Sequence, residues 1–303
     1  MTRPTPAGPG AAAAGGFHRP AATLARDGWA CELTPADAGW AYSGLRVLEL
    51  AAGRSRTFGT GDAEMLVLPL AGGCDVDCDG ERAALAGRPD VWSGPTDFAY
   101  LPPGSTVTVS SAAGGRFALP AARAGRRYPF RTRPAAAVPV ELRGAGSCSR
   151  QVHNFCTPEV FEADRLIACE VLTPGGNWSS YPPHKHDEDR PGESVLEEIY
   201  WFQTAGPAYQ QVYGSTAVLA EVRTGDAVLV PRGWHGPSMA APGYDLYYLN
   251  VMAGPGAERA WRICDDPAHA WVRETWAGQP VDPRLPFGPG ERPRPAAGTG
   301  GTA

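Results

Sequence analysis

"NWSSYPPHKHDEDRPGESVLEEIYWF", residues 177–202, carries two of the six histidines of a 303-residue chain, one residue apart. On a strand, residues i and i+2 point to the same face, so His184 and His186 aim together while Lys185 points away. Glu198 and Tyr200 share a face by the same rule, at the head of the apolar run EEIYWF. Further on, His235 follows Pro-Arg-Gly, a turn that ends one strand and hands a side chain to the mouth of a barrel. Three imidazoles and a carboxylate make a donor set suited to Zn, Mn, Fe or a similar divalent ion. Singly, each signal has a plainer explanation. His-x-His beside a proline turn reads as solvated polar residues, His235 as a loop histidine, and Glu197 and Glu198 as charges at a strand start. Their order on neighbouring strand-like runs makes a metal site the better reading.

Outward from this stretch, short runs rich in Val, Leu, Tyr and Trp alternate with Gly/Pro/Asp turns: LRVLELAAG, EMLVLPLAGG, DFAYLPPG, LIACEVLTPGG, DAVLVPRG and YDLYYLNVMAG. That spacing is the texture of an all-β sandwich or barrel. Helix is expected only near DPAHAWVRETW, residues 266–276, where Asp266 would cap and Pro267 would open the first turn. The runs also repeat in order. LELAAG (48–53) matches CEVLTPGG (169–176), LPLAGG (68–73) matches WFQTAG (201–206), and FAYLPPG (98–104) matches AVLVPRG (227–233). Two tandem β units explain this better than shared turn chemistry. Where the second half holds His184, His186 and His235, the first has RSRTF and STVTV. Chemistry is therefore expected in the second unit, with the first structural.

Bulk composition narrows the class. The 27 basic and 32 acidic side chains give a net charge of −5 and no basic block, which argues against nucleic-acid binding. No run approaches the ~18 apolar residues of a membrane span. The Pro/Gly/Ala-rich ends read as disordered tails, and the first lacks the apolar core of a signal peptide, so the cytoplasm is the expected compartment. Seven cysteines at scattered spacing read as reduced, mostly structural thiols.

His-x-His, then Glu, then GDAVLVPRGWH resembles the two motifs of the cupin superfamily, a small jelly-roll barrel. Eleven residues separate His186 from Glu198 and one separates Gly233 from His235. The first spacing is longer and the second shorter than the general cupin pattern. The wording GNWSSYPPHKHD, LEEIY, VLVPRGWH, GYDLYYLNVMAGP, RQVHN and DPAHAWV, with AGRPDVWSGPTDFAYLPPGS in the first half, resembles the 5-deoxy-glucuronate isomerase family of inositol catabolism. These are bicupins related to uronate ketol-isomerases, and the likeness runs from about residue 25 to about 276. It implies a tandem cupin: a tail over 1–24, a first barrel without metal ligands over 25–140, a metal-binding barrel over 141–278, and a low-complexity tail over 279–303. It also implies His184, His186, Glu198 and His235 as ligands to one divalent ion (Zn, Mn or Fe), with Glu197 the fallback acid. Between Tyr200 and Gly225 the chain departs from the family: it is shorter, lacks an acidic hairpin tip, and has Gln211 where an arginine is usual.

The implied reaction turns a C1 aldehyde and C2 hydroxyl into a hydroxymethyl group and a ketone on a small sugar acid. Tyr200, Gln211 and Tyr213 are the candidate catalytic contacts, and Tyr248, Arg232 and Arg190 the candidate substrate-binding residues, an arginine being the natural partner of a sugar carboxylate. Barrel-lining or solvated roles compete for all six. His153 in RQVHN is expected to be an outer support of the site or to brace the inter-domain segment, and 187–196 to be a lid or a mobile acidic loop. Alternatives are the isomerase of a related uronate, a metal-dependent cupin dioxygenase, and a non-catalytic sugar-acid-binding bicupin. A homo-oligomer is compatible with exposed edge strands.

Overall fold

Every one of the apolar runs named above forms a strand, and the chain is all-β: Ser43–Leu50, Ala63–Cys78, Phe98–Leu101, Ile167–Thr173, Glu197–Thr204, Ala227–Val230 and Leu246–Ala253. The structure, a computed structural model, describes residues 16–288; the outer parts of both expected tails lie outside the described residues. Among the described residues, helix is limited to the turn Pro35–Ala38 and 3-10 segments. The expected helix near 266–276 begins later, as the 3-10 segment Ala270–Gly278, because the Asp266 carbonyl caps a turn through His269 N and Ala270 N.

Among the described residues, the strands from Cys31 to Arg133 pair only with one another, and those from Val140 to Asp265 pair with one another and with His18–Arg19. The two larger sheets share one strand order. In the first half it runs Cys31–Leu33, Ser43–Leu50, Gly115–Arg123, Ala63–Cys78, Phe98–Leu101, Arg131–Arg133. In the second it runs Arg150–Asn154, Ile167–Thr173, Leu246–Ala253, Glu197–Thr204, Ala227–Val230, His18–Arg19, with Val140–Arg143 beyond Arg150–Asn154. The three repeated sequence pairs fall on equivalent strands, as the tandem reading requires.

Alternation along these strands sorts their side chains into two cores. Ile199, Trp201, Leu229, Tyr247, Leu249 and Val251 pack against Leu45, Val47, Leu66, Leu68, Phe98 and Tyr100 of the first half, in one cluster spanning both units. Tyr200, Phe202, Val228, Val230, Tyr248 and Met252 face inward, into the second barrel. The smaller sheet, with Val218–Val222, Ala208–Tyr213, Trp234–Ala240, His184–Lys185 and Cys264–Asp265, closes that barrel.

Three acids, two of them fully buried, tie the units together. The Glu197 carboxylate accepts from Ala41 N, Tyr42 N and Ser43 N at 2.8–2.9 Å. Glu64 does the same in reverse, accepting from Asp164 N, Arg165 N and Leu166 N at 2.6–2.9 Å. Between them Glu170 takes a bidentate pair from Arg88 at 2.6 and 2.7 Å, and also contacts His153 Nδ1 at 2.6 Å and Tyr247 Oη at 2.9 Å. His153 supports this joint only through Glu170, its own side-chain hydrogen bonds to Glu170 and Gln151 lying within the second unit.

The tails are shorter than composition suggests. His18–Arg19 extends the second sheet opposite Val228 and Ala227, Leu24 is buried, and the Asp226 carboxylate takes Ala21 N at 2.8 Å. At the other end Phe287 N donates to Gln151 Oε1 at 2.5 Å. A Pro/Gly-rich stretch needs only one or two anchoring side chains to be held, and bulk composition does not register them.

Candidate active site

Three strands, His184–Lys185, Glu197–Thr204 and Trp234–Ala240, carry the expected ligands, with His186 just past the end of the first. His184 lies directly opposite His235 in the smaller sheet, and Glu198 lies opposite Val230 and Met252 in the larger one. Glu198 Oε2 is 3.0 Å from His186 Nε2 and 3.1 Å from His235 Nε2. Donor atoms of His186, Glu198 and His235 all lie within 4.8 Å of one another, a group that could hold a metal ion. His184 stands beside them, its ring 4.4 Å from that of His235 and 6.5 Å from that of His186.

The surroundings fit a cation. Each imidazole sets Nδ1 against a backbone carbonyl: His184 at Pro182 O (3.4 Å), His186 at Leu196 O (3.1 Å), His235 at Gly233 O (3.2 Å). An Nδ1–H donated there leaves Nε2 as the lone-pair atom, the usual ligand arrangement. His235 Nε2 is buried with no aligned hydrogen-bond partner, close as Glu198 is. Two donors each about 2.1 Å from one ion stand about 3.0–3.4 Å apart, the separation seen between these atoms. Asn250 Nδ2 fixes the other carboxylate oxygen, Glu198 Oε1, at 2.6 Å. Burial pushes the Glu198 carboxyl up, but its close contact with the His186 ring, and then the neighbouring His235, outweigh it and hold it at about 2. Burial, followed by the neighbouring His235, holds His184 well below the ordinary imidazole range, in the neutral form that binds metals.

Glu197, the fallback acid, points the other way, into the first unit, and is not at this cluster. Lys185 likewise points away, binding Asp187 Oδ1 (2.6 Å), Glu188 Oε1 (2.8 Å) and Glu193 Oε1 (2.9 Å). That clamp pins the 187–196 turn, whose residues 189 and 193–196 line a separate cleft of about 380 Å3 rather than the barrel mouth. The turn is therefore neither a lid over the imidazoles nor a free acidic loop.

The cluster opens inward onto Ser180, Tyr200, Tyr248 and Asn250, and outward through a cleft of about 360 Å3 lined by Arg143, Arg150, His184, Trp261, Ile263, Asp265 and Arg273. Ser180 Oγ contacts Tyr200 Oη at 3.0 Å and Tyr248 Oη at 3.1 Å, and Tyr248 Oη donates to Ser179 Oγ at 2.9 Å. Ser180 holds φ +47° for this, a cost local contacts must support. Gly236 has φ +100°, and a Cβ there would sit 1.8 Å from Ser180 O, so the residue after His235 must be glycine.

Over residues 17–272 the sequence matches the KduI/IolB family. The chain belongs to that family. Its relatives include the 5-deoxy-glucuronate isomerases of Geobacillus kaustophilus, 42% identical over 258 residues (82% of this chain, 92% of that one), and of Bacillus subtilis, 35% identical over 252 residues (80% and 92%). Among solved structures, an IolB-like protein from Salmonella typhimurium superposes with a TM-score of 0.79 at 33% identity, covering 84% of this chain and 98% of that one. An oxalate decarboxylase from Lactobacillus farciminis superposes with a TM-score of 0.60 at 13% identity, covering 82% and 88%, a likeness of fold alone.

For this KduI/IolB chain, four of the remaining expectations need correction. Gln211 and Tyr213 were expected inside the barrel, but Ala208 and Val212 belong to its core and Gln210 is buried beside Ser238, so 211 and 213 face outward. Tyr213 Oη instead bonds Asp266. A one-residue error in strand phase turns every side chain over. Arg232 is exposed, and Arg190 is exposed and engaged with Glu193 at 2.6 Å; neither lines the cleft. Tyr200 and Tyr248 do lie at the site. Sequence reasoning missed Ser180, Asn250, Arg143 and Arg150. Asn250 was within reach, since it shares the face of Tyr248 two residues on.

Proposed function

We propose that the protein is a metal-dependent aldose–ketose isomerase converting 5-deoxy-D-glucuronate to 5-dehydro-2-deoxy-D-gluconate in myo-inositol catabolism, a cytoplasmic step on a small sugar acid. In this reading the second barrel carries the site and the first is its support. The observation that carries it is the convergence of His186, Glu198 and His235, with His184 adjoining, at the floor of an arginine-lined cleft, in a chain whose curated relatives bear that name. His184, His186, Glu198 and His235 would hold one divalent ion (Zn, Mn or Fe), which when bound polarises the oxygens on C1 and C2.

The chain's own groups supply the rest. Asn250 keeps Glu198 Oε1 occupied, so that Oε2 stays turned to the imidazoles. Burial first, and then the Glu198 charge, lifts the Tyr200 phenol well above its ordinary range, and burial lifts Tyr248 as well. Both phenols therefore stay protonated and, linked through Ser180, can pass a proton between the C1 and C2 oxygens of the substrate, a relay rather than a base. The test is incubation of metal-loaded protein with 5-deoxy-glucuronate in deuterium oxide, with NMR detection of the ketone and His184→Ala as control. Deuterium at C1 of the ketone product marks an enediol route. No ketone with metal present would defeat the assignment.

A further inference from the structure

The cleft above the donor cluster holds three guanidiniums, and they are not equally satisfied. Arg143 lies bidentate on Glu141 at 2.7–2.8 Å, and Arg273 is paired with Asp265. Arg150, 5% exposed, has no acidic partner among the described residues. Its side-chain hydrogen bonds, both through Nη1, go to the carbonyls of Cys148 (3.0 Å) and Tyr181 (3.4 Å), leaving Nε and Nη2 without one. The position is built for that side chain. Its guanidinium lies 5.3 Å from the Trp276 ring centroid, and at Gly144 (φ +78°) a Cβ would come within 2.6 Å of Arg150 Nη1. Burial, with the Arg143 and Arg273 charges adding to it, pulls the group down to about 10, the mark of a cation lacking its counter-ion. A buried, unpaired charge is costly unless something completes it.

We infer that Arg150 is the carboxylate anchor of the site: its free edge receives the carboxylate of a six-carbon uronate while the aldehyde end reaches His184, His186, Glu198 and His235. The identity of the acid rests on the isomerase reading; the anchoring does not. Arg143, Arg150, His184 and Trp261 line both the outer cleft and the inner pocket that reaches Glu198, so one continuous wall joins the two ends. A guanidinium fork suits a carboxylate better than an ammonium does, and Arg150 is the group in this cleft with a fork to offer. The place of Gln211 on the outer face also means that its departure from the family's arginine takes no cation from the cleft.

The experiment compares 5-deoxy-glucuronate with 5-deoxy-glucose, which keeps the aldehyde and C2 hydroxyl but ends in a hydroxymethyl group. Wild type should prefer the acid by about 100-fold or more in kcat/KM, since a site built for a polar group rejects the analogue lacking it. Arg150→Gln should lose about 100-fold on the acid, mainly in KM, and change the neutral sugar by less than about threefold, with metal content unchanged. Equal loss on both substrates, or an undiminished preference for the acid, overturns the proposal. Should Arg150→Gln fail to fold, Arg150→Lys is read by the same ratio, with a drop of about tenfold expected and full preference refuting. If wild type converts neither sugar, the isomerase reading fails, and calorimetry with the C1-reduced acid decides the anchor. Binding weakened about 30-fold or more in Arg150→Gln, or in Arg150→Lys where the Gln variant does not fold, sustains it; equal affinity, or no binding by wild type, overturns it.

Discussion

Glu197 and Glu198 are adjacent acids with opposite assignments, so exchanging each for glutamine separates the proposed metal site from the interface. Glu198 supplies the one carboxylate among the donors, with Oε2 3.0 and 3.1 Å from two imidazole nitrogens. Loss of an outer partner of a metal ligand costs about 10–100-fold in affinity, and loss of the charged ligand itself should cost at least about 100-fold. Glu198→Gln should thus fall from about one ion per chain to below a tenth at micromolar free metal. The amide carbonyl introduced by Glu198→Gln can still accept from Asn250, so the chelated variant should melt within about 3 °C of chelated wild type.

Glu197→Gln should do the reverse. Its carboxylate accepts three backbone N–H groups from the first unit, and an amide oxygen cannot serve all three while its NH2 faces the others. Each hydrogen bond lost from a charged group costs about 1.5–3 kcal/mol. Burial already pushes this carboxyl up from its ordinary range, so neutralising it returns part of the cost and leaves a net of about 2 kcal/mol. At about 2–4 °C per kcal/mol the melting temperature should drop by about 4–8 °C, with metal content intact. Elemental analysis and calorimetry on the two variants read both quantities. Metal loss in Glu197→Gln with retention in Glu198→Gln would refute the strand phase on which the whole site is built.

Glu170 should make stability acid-sensitive. Burial pushes its carboxyl up, but the charge and hydrogen bonds of Arg88, and then His153, hold it at about 2, below an unfolded value of 4.5. A depressed pKa stabilises the fold above the unfolded value and is lost as pH falls through the folded one. About 3 kcal/mol should therefore be present above pH 4.5 and disappear towards pH 2, which denaturant titrations against pH would show and Glu170→Gln would flatten; an unchanged slope in the variant would contradict it. Tyr200→Phe should lower kcat by about 10–100-fold as the hydroxyl relay breaks, whereas Tyr213→Phe should stay within about twofold, and equal effects would remove the relay.

What the sequence disclosed about the site follows from how local each signal is. His184 and His186 follow one i, i+2 spacing, Glu198 and Tyr200 another, and His235 is set by its turn, so the meeting of His186, Glu198 and His235 was legible. Arg143 and Arg150 lie on strands far from the histidine motif in the chain and meet it only because Arg150–Asn154 neighbours Ile167–Thr173 in the sheet. No periodicity in residues 140–154 announces that. Gln211 and Tyr213 failed for a subtler reason. AYQQVY offers two alternating faces of similar polarity, and the choice between them is made by Ala208 and Val212 packing into the barrel. The anchored ends, held by Leu24, Asp226 and Gln151, were masked by composition.

The duplicated topology gives the first barrel, which has no imidazoles to offer, a place in the site's geometry. Aligning LPLAGG with WFQTAG places Glu64 opposite Glu197 and Met65 opposite Glu198. The equivalence holds in the sheets, since Met65 pairs with Leu101 as Glu198 pairs with Val230. Glu64 and Glu197 make the same contact in opposite directions, each gripping three backbone N–H groups at the entry to the other unit's first central strand. The next residue then faces its own barrel, and there the two copies part: Met65 packs among Val67, Leu101 and Val107, while Glu198 meets His186 and His235. The reciprocal grip therefore requires both barrels, whereas the His186–Glu198–His235 cluster lies in one. Because Glu197 and Glu198 are consecutive on one strand, any slip of the interface would also displace the carboxylate at the cluster. In the first barrel a methionine occupies the position that holds the cluster's carboxylate in the second, while the adjacent glutamate keeps the same grip in both.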